Sequence, residues 1–208
     1  MTVLDKIGYF LRDRSEVPNQ ALAKELAEQE DQDGIREIAT YLFDENQSIA
    51  SDCIKVMYEI GYLKPALITN YVQDFIQLLN SKANRMVWGA MIAISTIAPL
   101  IPDQIFPYLA VIRHHIQTGT VITNVSAVRT LIGIASAGDQ YYAELIEEIL
   151  QLQQGCRKTD FAKRAEEIAE IIHKKDQPQF RVIVEERLPS LSNNAQKRVE
   201  RVLREMDN

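Results

Sequence analysis

Apolar residues recur along this chain with the spacing of helices. They lie at positions i, i+3, i+4 and i+7 through most of its length, and no segment keeps the strict alternation that a half-buried strand requires. Proline and glycine interrupt the pattern where helices typically start or stop. These residues are Pro18, Pro65, Pro102 and Pro178 for the starts and Gly61 and Gly138 for the stops. The pattern therefore predicts an all-α protein built from many helices of moderate length.

Two helical patterns alternate and repeat. The first begins at intervals of 31 to 38 residues, at Leu4, Ile35, Val72, Ile105, Ala143 and Phe180. The second has apolar residues at offsets 0, 3, 7 and 10, and it occurs four times. Its sixteen positions are Ala50, Cys53, Met57 and Ile60; Val87, Ala90, Ile94 and Ile97; Val125, Val128, Ile132 and Ala135; and Ala162, Ala165, Ala169 and Ile172. A repeat of this length predicts a stack of helix pairs.

Two segments carry a family resemblance. They are DGIREIATYLFDENQSIASDCIKVMYEIGYLKP and YVQDFIQLLNSKANRMVWGAMIAISTIAPLIP. Both resemble HEAT repeats of the HEAT/armadillo type, in which antiparallel helix pairs stack into a right-handed superhelix. The resemblance implies an all-α, right-handed solenoid of about five to six stacked helix pairs in a single domain, 1–208. The expected units are about 1–33, 34–68, 69–102, 103–140, 141–176 and 177–208, with the first and last acting as polar caps.

Composition and charge narrow the class of protein. With 46% apolar and 25% charged residues the chain has a globular composition, which argues against disorder. Its net charge of −6 argues against non-specific binding to nucleic acid or anionic lipid, since such binding depends on Lys and Arg. The first residues carry charges where a signal peptide is apolar, and the longest uncharged run contains two prolines. We expect a cytoplasmic protein without a membrane span.

No motif for catalysis or metal binding is evident. Cys53 and Cys156 are far apart in the sequence and belong to no Cys/His cluster, so they predict neither a zinc site nor a disulfide framework. His114 and His115 are adjacent, and on a helix their side chains diverge by about 100°. We therefore predict no catalytic residue, no metal ligand and no cofactor.

The second helices present an unusual face. In HEAT proteins the side opposite the buried stripe usually lines the concave surface, and in the two middle repeats this side carries no charge. Such a surface, flanked by charged rims, is typical of a binding groove. The predicted partner-binding residues are Trp88, Ile92, Thr96, Thr130 and Ile134 in the uncharged patch, and Asp52, Lys55 and Arg164 at its rims. Trp88 is the expected anchor for an extended peptide or helix. Tight curvature or a loop covering the patch is the alternative, and a second copy of the chain is a third occupant.

Three functions remain open on this basis. The first is a non-enzymatic scaffold or adaptor that binds a protein or peptide on its concave face. The second follows from HEAT-like DNA glycosylases, whose architecture is similar and which would need a basic, aromatic groove and an acidic catalytic group. The third is a lyase or chaperone-like helper of a cofactor protein, which some short helical-repeat proteins resemble.

Overall fold

The computed structural model describes residues 2–207, and this part of the chain contains helices and no strand. The α-helices are α1 (Gly8–Leu11), α2 (Val17–Gln29), α3 (Gln32–Thr40), α4 (Gln47–Leu63), α5 (Val72–Leu78), α6 (Asn84–Ile97), α7 (Pro102–Ile105), α8 (Leu109–Thr118), α9 (Val121–Ser136), α10 (Asp139–Gln154), α11 (Lys158–Ala169), α12 (Gln177–Arg187) and α13 (Asn193–Met206). Four short 3-10 segments accompany them: Val3–Lys6, Pro65–Tyr71, Phe106–Tyr108 and Leu188–Ser190. The all-α prediction is confirmed.

Local sequence explains several helix ends. The Asp31 side chain accepts a hydrogen bond from the backbone N–H of Gly34 at 2.9 Å, which caps α3, and Asn46 and Ser192 cap α4 and α13 in the same way. The four prolines lie in the first turns of helical segments, as predicted. The prediction that Gly61 ends a helix is wrong, because α4 continues to Leu63.

The predicted apolar stripe of the second helices forms the core. Fourteen of its sixteen positions are buried, and the two exceptions, Val125 and Ala169, are half-buried. These helices are α4, α6, α9 and α11. The register inferred from the repeat is therefore the register that the structure uses for the buried stripe.

The chain divides into two compact units, one ending at Gly133 and one beginning at Ile134. In the first unit α2 packs against α4 and α4 packs against α6, with α3 and α5 forming the outer partners of these helices. In the second unit α11 packs against α13 and α10 packs against α12. Each unit holds one free cysteine, Cys53 in the first and Cys156 in the second, and both are buried. The division into six repeat units with two caps stays a prediction.

Two glycines allow α4 and α6 to approach closely. A Cβ atom built on Gly89 would lie 2.8 Å from Cγ1 of Ile54, and one on Gly61 would overlap with Thr96 Oγ1. Real Cβ atoms do not come this close to packed neighbours, so side chains at these positions would push the helices apart. Gly61 is thus a packing residue inside α4.

Candidate functional site

Three aromatic residues form a continuous group on the first unit, which we call the aromatic strip. Tyr58 and Tyr62 lie one turn apart on α4, with ring centroids separated by 6.1 Å, and Trp88 on α6 lies 5.8 Å from Tyr58. Tyr58 is buried, Trp88 is half-buried and Tyr62 is 53% exposed. The strip therefore runs from the buried Tyr58 ring to surface that Trp88 and Tyr62 leave partly open.

A network of ion pairs holds one side of the aromatic strip. The ammonium group of Lys55 is 2.9 Å from a carboxylate oxygen of Glu16 and 2.6 Å from one of Glu59, and its side chain is only 7% exposed. Arg85 binds the other oxygen of Glu16 at 3.1 Å and lies over the Trp88 ring. These charges fix the side chains around the strip and leave Lys55 without freedom to bind a partner.

The titration of this network follows from its contacts. Burial alone would lower the pKa of Lys55, but hydrogen bonds to Glu59, Tyr58 and Glu16 outweigh it, so the pKa is raised above its ordinary value. Desolvation likewise opposes the charged form of Glu16, yet Lys55 and Arg85 hold its pKa below the ordinary 4.5. Both members of the pair are therefore charged at neutral pH.

An open cleft of about 730 Å³ adjoins the network. Its walls come from the segment around α1, from the first turns of α4 and from the start of α6, and Glu16 and Arg85 belong both to this cleft and to the ion-pair network. Six charged residues line it: Arg12, Arg14, Arg85, Asp13, Glu16 and Asp52.

Asp52 fixes the wall of the cleft. One of its carboxylate oxygens accepts a hydrogen bond from the backbone N–H of Tyr9 at 2.8 Å, and the other accepts one from the side-chain amide of Asn19 at 2.8 Å. The buried Asn19 in turn accepts a hydrogen bond from the N–H of Gly8. The predicted rim residue Asp52 thus attaches the N-terminal segment to α2 and α4.

Replacement of Asp52 by Ala should release this attachment. We expect the amide hydrogens of Gly8 and Tyr9 to exchange with solvent at least tenfold faster, and unfolding to become easier by about 1 kcal/mol. The Tyr9 N–H loses its acceptor, and Asn19, the acceptor of the Gly8 N–H, loses the carboxylate that holds its side chain. Hydrogen exchange measured by NMR checks this. Replacement of Asp33 by Ala, an exposed aspartate on α3, is the control and should leave both amides unchanged. Unaltered exchange in the Asp52 variant would contradict the assigned role.

The uncharged patch predicted from the sequence is mostly covered. Ile92 is 7% exposed, and Thr130 and Ile134 are fully buried. Thr96 is half-buried and donates its hydroxyl hydrogen to the backbone oxygen of Ala93 on its own helix. Among the five predicted patch residues, only Trp88 and Thr96 are half-buried, and the other three are buried.

Arg164 belongs to the second unit. Its guanidinium donates a hydrogen bond to the backbone oxygen of Leu152 at 2.9 Å, and the residue is 7% exposed. It joins the end of α10 to α11 and presents little surface. Of the predicted binding residues, the first unit contains Trp88, Ile92, Thr96, Thr130, Asp52 and Lys55, and the second contains Ile134 and Arg164. Lys55, Asp52 and Arg164 have partners inside the protein.

The two cysteines and Tyr142 lie outside the aromatic strip and the cleft, and their surroundings restrict their reactivity. Burial raises the pKa of both cysteine thiols and keeps them protonated. The Tyr142 ring stacks on His173 at 3.6 Å, its hydroxyl donates to Asp176 at 2.8 Å, and burial raises its pKa to about 12. The two thiols and the Tyr142 hydroxyl are therefore protonated at neutral pH. Within residues 2–207 no group of three or more His, Cys, Asp and Glu side chains is arranged to hold a metal ion.

Sequence patterns did not reveal the strip or the cleft. Tyr58 stands eight residues after Ala50, whereas Trp88 stands one residue after Val87, so the two rings occupy different positions of the repeat. A comparison of equivalent repeat positions therefore does not predict that the Tyr58 and Trp88 rings are in contact. The i, i+4 spacing of Tyr58 and Tyr62 was the available signal, because such residues share a helix face.

The fold defines a class of protein, an α-helical repeat protein of the armadillo/HEAT type. The structural comparisons agree. A designed armadillo repeat protein in complex with the peptide (KR)4 is similar over 91% of this chain and 87% of its own, at 16% sequence identity and a TM-score of 0.68. An engineered protein matches all of this chain and 97% of its own, at 18% identity and a TM-score of 0.66.

A third solved structure, of computationally designed armadillo repeat proteins for modular peptide recognition, covers 97% of both chains at 14% identity and a TM-score of 0.61. At these identities the likeness establishes the fold alone. A scan against protein-family models found no match, and a search of curated proteins found none either. None of the helices in residues 2–207 has the length and apolar character that crossing a bilayer requires.

Proposed function

We propose that this protein is a non-enzymatic scaffold that binds a peptide segment of another protein through the aromatic strip. The observation that carries the proposal is the exposure of Tyr62 and Trp88 beside a fixed ion-pair network. Aromatic side chains are enriched at the centres of protein interfaces, because they bury much apolar area and lose little conformational entropy. Polar neighbours with fixed positions then orient the ligand.

Two further observations support a scaffold. The armadillo/HEAT-type fold arranges consecutive helices side by side, which suits an extended ligand. One of the similar designed proteins is described as a complex with the peptide (KR)4, and another as armadillo repeat proteins for modular peptide recognition. A peptide on this chain would lie across α4 and α6, where the three rings of the aromatic strip are in contact.

The test selects peptides from an unbiased display library on the purified protein. Trp88 is the only tryptophan, so a peptide that reaches the strip should change the intrinsic fluorescence. Replacement of Tyr62 by Ala should weaken the selected peptides at least tenfold, which corresponds to about 1.4 kcal/mol. The affinities are measured by fluorescence titration.

Replacement of Phe43 by Ala is the matched control, because this aromatic side chain is 46% exposed and lies outside the strip. It should leave the affinities within twofold. Selected peptides that bind the Tyr62 and Phe43 variants equally would contradict the proposal. A duplex containing an alkylated or abasic site is titrated in parallel, since preferential binding of this DNA would replace the scaffold by the glycosylase alternative.

A further inference from the structure

The cleft beside the aromatic strip contains two cations without partners. The guanidinium groups of Arg12 and Arg14 are exposed, and neither forms a hydrogen bond or ion pair with any residue from 2 to 207. Arg85, which also lines the cleft, binds Glu16 through one terminal nitrogen, while its buried Nε has no hydrogen-bond acceptor in the same part of the chain. The cleft therefore holds donors that the described chain leaves unsatisfied.

Each carboxylate of the cleft already accepts at least one hydrogen bond from the protein. Asp13 accepts a hydrogen bond from the N–H of Ser15 at 2.8 Å, and this contact lowers its pKa. Glu16 is bound by Lys55 and Arg85, and Asp52 by its two hydrogen bonds. The cleft has equal numbers of arginines and carboxylates, but two of its three arginines have guanidinium groups without a partner in the described part of the chain, whereas each carboxylate already accepts a hydrogen bond from the protein. Carboxylate groups of a ligand would pair with these two arginines.

The cleft and the aromatic strip are parts of one surface. Arg85 lines the cleft, and its guanidinium carbon is 5.7 Å from the centre of the Trp88 ring. Glu16 also lines the cleft and binds Lys55, which lies 4.9 Å from the centre of the Tyr58 ring. A peptide on the strip needs only a few residues to continue into the cleft.

We propose that the partner is an acidic peptide, with an apolar or aromatic side chain on the strip and neighbouring Asp or Glu carboxylates on Arg12 and Arg14. This inference rests on the proposed function, since it assigns the charge of the same ligand. Guanidinium groups bind carboxylates through paired hydrogen bonds, which gives the contact direction as well as charge. Exposed charges are screened by salt, so the contribution of the arginines depends on ionic strength.

The experiment uses three fluorescein-labelled peptides with the same central Phe. In the first, Glu and Asp flank the Phe on both sides; in the second they are replaced by Gln and Asn; in the third by Lys and Arg. We expect the acidic peptide to bind at least tenfold more tightly than the neutral one at low salt, and the basic peptide to bind more weakly than both. Fluorescence anisotropy measures the affinities.

The double variant Arg12→Gln/Arg14→Gln should remove the preference for the acidic peptide and leave the affinity of the neutral peptide within twofold. Lys24→Gln/Arg36→Gln is the matched control, because it removes two exposed positive charges of the same unit that do not line the cleft. It should keep at least half of the preference. Equal loss in both double variants would show a general charge effect and overturn the assignment to the cleft.

The outcomes separate this inference from the proposed function. Binding that depends on Tyr62 but shows no preference for the acidic peptide keeps the scaffold and overturns the acidic partner. A preference for the basic peptide overturns it as well. If no peptide binding depends on Tyr62, the proposed function fails, whatever the charge of the peptide.

Discussion

Replacement of Gly89 by Val is expected to lower the free energy of unfolding by about 3 kcal/mol. The glycine faces Ile54 across the contact between α4 and α6, where even a first added carbon would lie 2.8 Å from Cγ1 and 3.2 Å from Cγ2 of that side chain. Ile54 is buried and branched, so it has little room to move aside. Denaturation by urea, followed by circular dichroism, measures the loss.

The control for this variant is Ser95→Val on the same helix. Ser95 is half-buried, so the change tests the lower helix propensity of valine at a site with more space, and it should cost less than about 1 kcal/mol. Combination of Gly89→Val with Ile54→Ala should recover part of the loss, because the smaller side chain vacates the space that valine needs. Strict additivity of the two changes would argue against the close approach as the cause.

Replacement of Lys55 by Ala is expected to destabilise the protein by about 2 kcal/mol at neutral pH. The variant removes the ammonium group that joins Glu16 to Glu59 and leaves Glu59, with a side chain only 19% exposed, without this partner. Replacement of Lys24 by Ala is the control, because its side chain is 68% exposed and pairs weakly with Glu28, and it should cost less than about 0.5 kcal/mol.

The pH dependence of the Lys55 variant has a definite sign. The folded state lowers the pKa of Glu16, so this carboxylate contributes stability that is present above its ordinary pKa of 4.5 and is lost as the pH falls through the lower, folded value. The difference between the wild type and Lys55→Ala should therefore shrink below pH 4.5. A difference that stays constant into strong acid would contradict the ion pair as its source.

Much of the fold follows from the sequence because burial imposes a period on it. The stripe shared by Cys53, Ala90, Val128 and Ala165 repeats at one offset of each second helix, and all four residues are buried. Such a pattern records which side of a helix faces its own partner. It does not record how far apart two stacked helices lie, which is decided by single positions such as Gly89 and Gly61.

The site was harder to predict for the same reason. Absence of charge at Thr130 and Ile134 predicts a neutral groove, but uncharged residues also occur where helices pack tightly, and both side chains are fully buried. Conversely, Lys55 and Asp52 carry charge and still have their main contacts inside the protein. Arg12 and Arg14 come from the N-terminal segment, and only the folding of that segment against α4 brings them into the cleft that Arg85 also lines.

The placement of the two cysteines has a practical consequence for measuring motion. Each compact unit has one thiol, and each thiol is shielded from a reagent until its surroundings open. With Cys156 replaced by Ser, the rate of modification by a disulfide reagent reports the opening of the first unit around Cys53; the reciprocal variant reports the second. The two modification rates, measured without any added label, therefore show whether the two units open at the same rate or at different rates.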